Sequence, residues 1–245
     1  MTRFHLAPGA VEGDRVRFDA ATAHHLGRVL RAAAGDLVQA VDGGDLLSVQ
    51  LTAIAPRRAE GLVISRAPLA TESPLRLTLA QAVPKGDKMD GIVRMTTELG
   101  VSRVIPLTTE RSVVRLPAER WAARCARWER VALEAAQQSG RAAVPEIAPP
   151  RTLAGWRTEP AADGLVICFW EEEPRGLAGL LPEGPCGAAT VIVGPEGGLT
   201  ADEVRGLAQA GALVAGLGPR VLRTETAGAV AVALLQSRYG DLGRD

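Results

Sequence analysis

The chain has 245 residues, of which 47% are hydrophobic and 23% are charged, and its formal net charge is +0. This composition is typical of a globular protein with enough apolar material for one large domain or two modest ones. No stretch reaches the roughly 18 consecutive apolar residues that a membrane helix needs. The N-terminal residues contain no apolar signal region, so we expect a cytoplasmic protein that does not enter a membrane.

Cysteine and histidine are too few and too scattered to build a zinc site. No Cys-x-x-Cys pair occurs, and adjacent histidines rarely face one metal ion. The residues of these two types are Cys125, Cys168, Cys186, His5, His24 and His25. We therefore expect no bound metal, and we expect the cysteines to be reduced structural residues.

Charge is unevenly distributed along this neutral chain. Between Arg103 and Arg130 there are seven arginines against three glutamates. A basic segment of this kind can contact phosphate groups locally even when the whole protein is neutral. A solvated, arginine-rich helix face explains the same pattern equally well.

The first 70 residues predict a small β-barrel. Residues 15–18 alternate polar and apolar side chains, as a half-buried strand does. Residues 37–41 and 47–54 are strand-like and flank Asp42-Gly43-Gly44-Asp45, which is a hairpin turn sequence. Residues 61–65 form another strand, and 21–31 carry Leu26, Val29 and Leu30 at helical spacing. Several short strands with one helix indicate a compact barrel.

After a linker at residues 68–74, strands alternate with helices. Apolar strands are predicted at 75–83, 101–107, 164–170 and 188–193, and helices at 86–99 and 117–139, with two further strand-turn-helix units at 191–209 and 212–239. Nearly continuous apolar strands are typical of a parallel sheet covered on both faces. We therefore predict that residues 71–245 form an α/β domain.

Two turns in this second domain contain the residues best suited to a binding site. The first, Gly194-Pro195-Glu196-Gly197-Gly198, ends a buried strand and precedes a helix that Thr200 and Glu203 cap reciprocally. The second contains Gly218 and leads into a dense polar run from Arg220 to Thr226. Ligands bind at the carboxyl ends of strands in open α/β sheets, where glycine lets the backbone approach them. Neither turn has a phosphate-binding fingerprint, and tight turns with good helix caps are the alternative.

Six segments in order along the chain resemble the ribosomal small-subunit RNA uracil-N3 methyltransferase family, within the knotted SPOUT methyltransferases. They are His24-His25-Leu26-x-x-Val29-Leu30-Arg31; Lys85-Gly86 with Glu98-Leu99-Gly100-Val101; Arg111-Ser112-Val113; Glu134-Ala135-Ala136-x-Gln138-Ser139-Gly140-Arg141; Gly194-Pro195-Glu196-Gly197-Gly198; and Leu217-Gly218-x-Arg220-x-Leu222-Arg223-x-Glu225-Thr226-Ala227. Each segment alone is a weak pattern, but six in order are specific.

The resemblance implies a PUA-like RNA-binding β-barrel over residues 1–70 and a trefoil-knotted, parallel-sheet methyltransferase domain over residues 71–245. It also implies a homodimer that uses S-adenosylmethionine to methylate N3 of a uridine in 16S ribosomal RNA of the small subunit. The cofactor-binding residues that it implies are Phe169, Trp170, Gly194, Pro195, Glu196, Gly197, Gly198, Leu217, Gly218, Arg220, Leu222, Arg223 and Ala227.

Methylation of uracil N3 sets a chemical requirement, because N3 carries a proton at neutral pH. A general base, or a cation that stabilises the anion, is needed. We predict that Arg223 stabilises the developing charge, while Glu196 or Glu225 orients Arg223 or accepts the proton. The residues predicted to contact RNA are His25, Arg28, Arg31, Arg111, Arg115 and Arg141.

Two other functions remain open from the sequence. One is a related knotted enzyme that methylates a ribose 2′-hydroxyl of ribosomal or transfer RNA. The other is an RNA-binding assembly factor without catalytic activity, which would bind RNA but not the cofactor.

Overall fold

The chain is organised as two compact units. The structure, a computed structural model, describes residues 3–157 and 164–244. One unit combines Met1–Glu72 with Ala136–Ala143, and the other combines Ser73–Ala135 with Val144–Asp245. The last turn of a long helix thus belongs to the first unit, although the sequence pattern places it with the second.

Within the described residues, the first unit contains six strands and one short helix. They are β1 (Arg3–His5), β2 (Val11–Glu12), β3 (Arg15–Phe18), α1 (Ala20–His24), β4 (Leu37–Asp42), β5 (Asp45–Ala55) and β6 (Arg58–Pro68). The strand order is β1-β4-β5-β6-β3-β2, in which β1 runs parallel to β4 and the other pairs are antiparallel. Phe4, Leu26 and Leu47 belong to its buried core.

The predicted hairpin is confirmed, and the predicted helix is shorter than expected. Gly43 and Gly44 have φ of +57° and +95°, the left-handed conformation that a two-residue hairpin turn requires. Helix α1 is followed by a π-helical turn at His25–Val29. Val29 and Leu30 are exposed, so of the apolar residues that suggested a longer helix only Leu26 is buried.

The second unit alternates strands and helices around a parallel sheet. Its elements are β7 (Arg76–Ala82), α2 (Lys88–Glu98), β8 (Arg103–Thr108), α3 (Ala118–Ser139, whose last turn is in the first unit), β9 (Glu146–Ile147), β10 (Arg151–Thr152), α4 (Leu153–Arg157), β11 (Leu165–Phe169), β12 (Ala188–Val193), α5 (Ala201–Gln209), β13 (Leu213–Ala215) and α6 (Thr224–Tyr239). The strand order is β10-β8-β7-β12-β11-β13, with β9 beside β8, and all described pairs are parallel.

The sheet is buried on both faces, as its apolar strands predict. Along β11, Ile167 and Phe169 pack in one apolar cluster while Cys168 packs in another. Val191 and Ile192 of β12 divide between the same two clusters. The reciprocal cap of α5 by Thr200 and Glu203 is confirmed. The α/β prediction for this unit is therefore confirmed.

Two features are absent from the described part of the chain. No helix there is long and apolar enough to cross a membrane. No cluster of three or more histidine, cysteine, aspartate or glutamate side chains is arranged to hold a metal ion.

Candidate active site

A cavity of about 420 Å³ lies where the neighbouring strands β12, β11 and β13 end. Because the strands are parallel, their carboxyl ends meet at one edge of the sheet, and the following loops surround the cavity. The lining residues are Lys88, Phe169, Trp170, Glu171, Val193, Gly194, Pro195, Glu196, Gly198, Gly216, Leu217, Gly218, Pro219, Arg220, Val221, Leu222, Arg223, Thr224 and Ala227.

The structure brings the predicted cofactor residues together with one exception. All of them line the cavity apart from Gly197. This glycine is next to Arg111: a Cβ added to it would lie 3.5 Å from Cβ of Arg111. Their part in cofactor binding stays a prediction. The lining residues that the sequence did not single out as cofactor ligands are Lys88, Glu171, Val193, Gly216, Pro219, Val221 and Thr224.

The turn formed by residues 194–198, here called the glycine turn, is fixed from the interior of the unit. Thr224 Oγ1 donates a hydrogen bond of 2.6 Å to the carbonyl oxygen of Gly194. The amide Nε2 of Gln81, a fully buried residue at the end of β7, donates to the same hydroxyl at 2.9 Å. Buried hydrogen bonds of this kind hold a loop in one geometry before a ligand arrives. The first carbonyl of the glycine turn is therefore preorganised.

The loop after β8 fixes the other end of the glycine turn. Arg111 Nη1 donates to the carbonyl oxygen of Gly197 at 2.8 Å. Glu110 accepts a hydrogen bond from the Thr200 hydroxyl at 3.1 Å, and its backbone N–H donates to Glu203 at 2.8 Å. Arg111 was predicted to contact RNA, but at least part of its guanidinium binds the protein's own backbone.

Two turn positions favour glycine for different reasons. A Cβ on Gly198, whose φ is +69°, would lie 1.8 Å from Oε1 of Glu171. A Cβ on Gly216 would lie 2.3 Å from the carbonyl oxygen of Glu173. At Gly216 a larger residue would displace the backbone of the loop, whereas at Gly198 the left-handed backbone favours glycine and a larger residue would push the Glu171 carboxylate aside.

Lys88 joins the glycine turn to the start of α6 through two carboxylates. Its Nζ lies 3.1 Å from Oε1 of Glu196 and 3.5 Å from Oε2 of Glu225. The backbone N–H of Lys85 donates a further hydrogen bond of 3.1 Å to Glu196. The sequence predicted that these glutamates act with Arg223, but the structure pairs both of them with Lys88.

Charge and hydrogen bonding keep this cluster ionised. Burial by itself raises the pKa of Glu196, but hydrogen bonds from its own backbone, from Lys88 and from the Lys85 N–H outweigh that cost and lower its pKa below the ordinary value. The hydrogen bond to Glu196 raises the pKa of Lys88. A carboxylate with a lowered pKa is a weak proton acceptor, so Glu196 is better suited to holding Lys88 than to catalysing proton transfer.

Arg223 and Arg220 lie at the solvent side of the cavity. Both are exposed, and Arg223 is the residue immediately before α6, with extended φ and ψ of −63° and 150°. Their charged ends can therefore meet a substrate that approaches from solvent. Val221, between them, is 82% exposed, which is unusual for a large apolar residue.

The lining combines groups that suit a nucleoside attached to a charged chain. Phe169, Leu217 and Leu222 offer apolar surface for a flat ring, while the glycine turn offers backbone polar groups. Glu171 and Glu196 supply negative charge for a cationic ligand. Nε1 of Trp170 is buried without a hydrogen-bond partner. The cavity thus fits S-adenosylmethionine in volume and in chemistry.

The predicted RNA-contacting residues differ in accessibility. Arg28 and Arg31 are exposed in the first unit, and Arg115 is exposed in the second. The half-buried ring of His25 packs edge-on against Phe4, with centroids 5.6 Å apart, which favours a structural role.

The prediction for Arg141 requires correction. Arg141 is only 6% exposed, and its guanidinium forms an ion pair with Glu72 inside the first unit. Glu72 also accepts hydrogen bonds from the backbone N–H groups of Ala142 and Ala143. This arrangement secures the chain after α3 and leaves almost no guanidinium surface for a phosphate.

Comparison with known proteins identifies the class to which this fold and cavity belong. The sequence model of an RNA methyltransferase domain matches residues 71–236. The chain is 34% identical to ribosomal RNA small subunit methyltransferase E of Bacillus subtilis over 211 residues, which cover 83% of this chain and 82% of that protein.

Solved structures give the same result for nearly the whole chain. The crystal structure of a ribosomal RNA small subunit methyltransferase E from Neisseria gonorrhoeae, bound to S-adenosylmethionine, is 33% identical with a TM-score of 0.89, covering 98% of this chain and 99% of that one. A Legionella pneumophila structure with bound S-adenosylmethionine is 30% identical with a TM-score of 0.91, covering 98% and 99%. The chain belongs to the ribosomal RNA small subunit methyltransferase E family, and its second unit has the α/β SPOUT fold.

Proposed function

We propose that this protein uses S-adenosylmethionine to methylate N3 of a uridine in the 16S ribosomal RNA of the small ribosomal subunit. The observation that carries the proposal is the cavity at the ends of β11, β12 and β13, with its preorganised glycine turn. Two similar proteins with the same fold have been solved with S-adenosylmethionine bound. We further propose that the protein acts in the cytoplasm, where its ribosomal substrate would be met.

The residues of the cavity have distinct parts in this proposal. Bound S-adenosylmethionine would supply a methyl group attached to a positively charged sulfur. Leu217, Leu222 and Ala227 would hold the adenine by apolar contact. Glu171, over the glycine turn, would complement the positive charge of the ligand. The fixed turn would orient the ligand without loss of loop entropy on binding.

In this proposal, Arg223 stabilises the negative charge that develops on the uracil. When N3 of uracil loses its proton, negative charge spreads over N3 and the two flanking carbonyl oxygens. Arg223, exposed at the cavity, would stabilise that charge at one oxygen. Glu225 is the candidate proton acceptor, because three hydrogen bonds keep Glu196 a weak base.

The first unit is proposed to bind RNA through its exposed arginines. Arg28 and Arg31, with Arg115 of the second unit, would contact phosphates, while Arg111 and Arg141 are engaged within the protein. Phosphate contacts release condensed counterions, so RNA affinity should fall steeply as salt rises. Affinity that is independent of salt would contradict this part of the proposal.

A homodimer is supported by the surface of α6. This helix is apolar on several sides, and Ala229, Val230, Ala233 and Leu234 are only partly covered by the chain itself. A helix that is apolar all round is normally buried. A second copy of the chain, packed against this face, would bury it.

The first experiment measures S-adenosylmethionine binding by titration calorimetry with two matched glycine variants. A Cβ on Gly194 would lie 3.1 Å from backbone atoms of Gly198 and Leu199, whereas the nearest atoms to a Cβ on Gly197 belong to Arg111, at 3.5 Å or more. Gly194→Ala should weaken binding about tenfold or more, and Gly197→Ala should not. No binding by the native protein, alone or with ribosomal subunits, would favour a non-catalytic RNA-binding factor.

The second experiment identifies the methylated atom. Small subunits lacking the modification are incubated with protein and labelled cofactor, and the RNA is digested to nucleosides. Label in N3-methyluridine supports the proposal. Label in a nucleotide that resists alkaline cleavage would instead identify a ribose 2′-O-methyltransferase.

A further inference from the structure

Lys88 has a position that neither the sequence motifs nor the proposed roles of the arginines explain. It begins helix α2 directly after the loop that follows β7, and it lines the cavity beside Glu196. The chain has 28 lysine and arginine residues in total, and Lys85 and Lys88 are the only lysines among them. Lys85 contacts Glu196 through its backbone N–H, whereas the side chain of Lys88 lines the cavity.

An ammonium differs from a guanidinium in ways that matter at a crowded site. It is a compact point charge with three N–H donors, whereas arginine presents a wide planar fork. The ammonium of Lys88 donates a hydrogen bond of 3.1 Å to Glu196 and forms an ion pair with Glu225 at 3.5 Å. The carboxylates come from the glycine turn and from the first turn of α6, so they hold the ammonium between two elements, and its remaining N–H groups are available to a ligand.

We propose that Lys88 is a second catalytic cation, which donates to one of the two carbonyl oxygens that flank N3 of the target uracil. This inference rests on the proposed uracil-N3 methylation. Breaking the N3–H bond leaves its electron pair on the ring and passes the proton to a carboxylate of the site. The charge then rests on N3 and on two oxygens, which lie on opposite sides of N3. A cation at each oxygen would match that charge distribution, and Lys88 and Arg223 both line the cavity.

The charged groups around Lys88 keep it available for this role. Glu196 faces it from the glycine turn and Glu225 from α6, and the other charged residues lining the cavity are Glu171, Arg220 and Arg223. The two carboxylates that contact Lys88 favour its charged form, so it remains a cation throughout the pH range of an assay. When the uracil anion forms, Lys88 stabilises it without reorganisation.

The test compares Lys88→Met, Lys88→Arg and the matched control Lys85→Met. The control removes a neighbouring lysine side chain but keeps the backbone N–H that Glu196 accepts. Turnover is measured against pH on small subunits, and cofactor affinity is measured by calorimetry. Loss of one preorganised donor to a developing oxyanion typically lowers kcat on the order of 100-fold.

We expect Lys88→Met to lower kcat by about that factor with cofactor affinity within about threefold of the native value. Without the cation, the pKa of the bound uracil N3–H rises, so the rate of Lys88→Met should keep increasing with pH where the native rate has levelled. Lys88→Arg should retain the native pH profile, since it keeps the charge, and Lys85→Met should also leave the profile unchanged.

Two results would overturn the inference. One is a pH profile of Lys88→Met that matches the native profile. The other is a loss of cofactor affinity as large as the loss of turnover, which would assign Lys88 to holding the glycine turn. Failure of the proposed function itself is recognised separately, because the native protein would then bind no cofactor or would label no N3-methyluridine.

Discussion

Thr224 Oγ1 and the carbonyl oxygen of Gly194 are joined by a buried hydrogen bond of 2.6 Å, although one residue begins α6 and the other begins the glycine turn. The hydroxyl is also an acceptor for Gln81 Nε2, so the strand β7, the glycine turn and the start of α6 share one polar chain. Removing the hydroxyl would take one hydrogen bond from the Gly194 carbonyl and one from Gln81, which would keep its bond to the carbonyl of Ala82.

We therefore expect Thr224→Val, which keeps the shape but loses the hydroxyl, to weaken S-adenosylmethionine binding about tenfold. Thr224→Ser keeps the hydroxyl and is the matched control, with affinity near the native value. Titration calorimetry on both variants measures the difference. Equal affinities for valine and serine would show that the hydrogen bond does not organise the cavity.

Arg223→Ala should lower kcat on the order of 100-fold, because it removes a cation from the developing uracil anion. Cofactor affinity should change little, since the guanidinium is on the exposed side of the cavity. Steady-state kinetics on small subunits, combined with calorimetry, separates the two effects. A variant with native turnover would remove Arg223 from the catalytic residues.

Arg141→Met should destabilise the protein by about 2–3 kcal/mol, because it leaves Glu72 without its ion-pair partner in the first unit. Glu72 keeps two backbone N–H donors and is partly exposed, so the full cost of an orphaned buried charge is not reached. Urea unfolding provides the measurement. Arg205→Met breaks an exposed pair with Asp202 and should cost less than about 1 kcal/mol.

His5 should make the stability of the first unit depend on pH. Burial lowers the pKa of His5 below its ordinary value of 6.5, and its Nε2 has no hydrogen-bond partner. Between the two pKa values the unfolded chain binds more protons than the folded chain, so the free energy of unfolding should fall as pH drops below about 6.5. His5→Gln should flatten this dependence in urea titrations, while His24→Gln, at an exposed position on α1, should retain it.

Leu234→Arg should shift the protein from dimer to monomer in size-exclusion chromatography with light scattering. A charge at this partly exposed position on α6 would be buried and unpaired in the proposed dimer, which costs several kcal/mol. Ile64→Arg makes the same kind of change at an exposed apolar residue of the first unit and should leave the dimer intact. A native protein that is monomeric at micromolar concentration would contradict the dimer directly.

Much of the fold follows from local pattern, because long apolar strands and capped helices have strong periodicity. The turn at Gly43 and the cap of α5 by Thr200 and Glu203 are confirmed as predicted. The two-residue strands β9 and β10 were not predicted, since so short a segment has no periodic pattern. The trefoil knot stays a prediction.

The site was predictable where glycine and polar residues cluster in the sequence, and it was missed where distant residues meet. The turn residues Gly194 and Gly218 line the cavity, as their position after strands indicates. Gln81 was overlooked because it is a single polar residue within an apolar strand. Lys88 lies more than 100 positions from Glu196, so its pairing depends on the tertiary fold. Its rarity as a lysine was the available clue.

The hydrogen bond between Gln81 and Thr224 joins residues 143 positions apart, and this separation has a consequence for biosynthesis. A chain emerging from the ribosome can form its first β-sheet early, since that sheet uses only nearby strands. The glycine turn, however, cannot be fixed until Thr224 has left the exit tunnel. A nascent or truncated chain that lacks the last helix is therefore without a formed cofactor site. The protein acquires its binding capacity only at the end of its own synthesis.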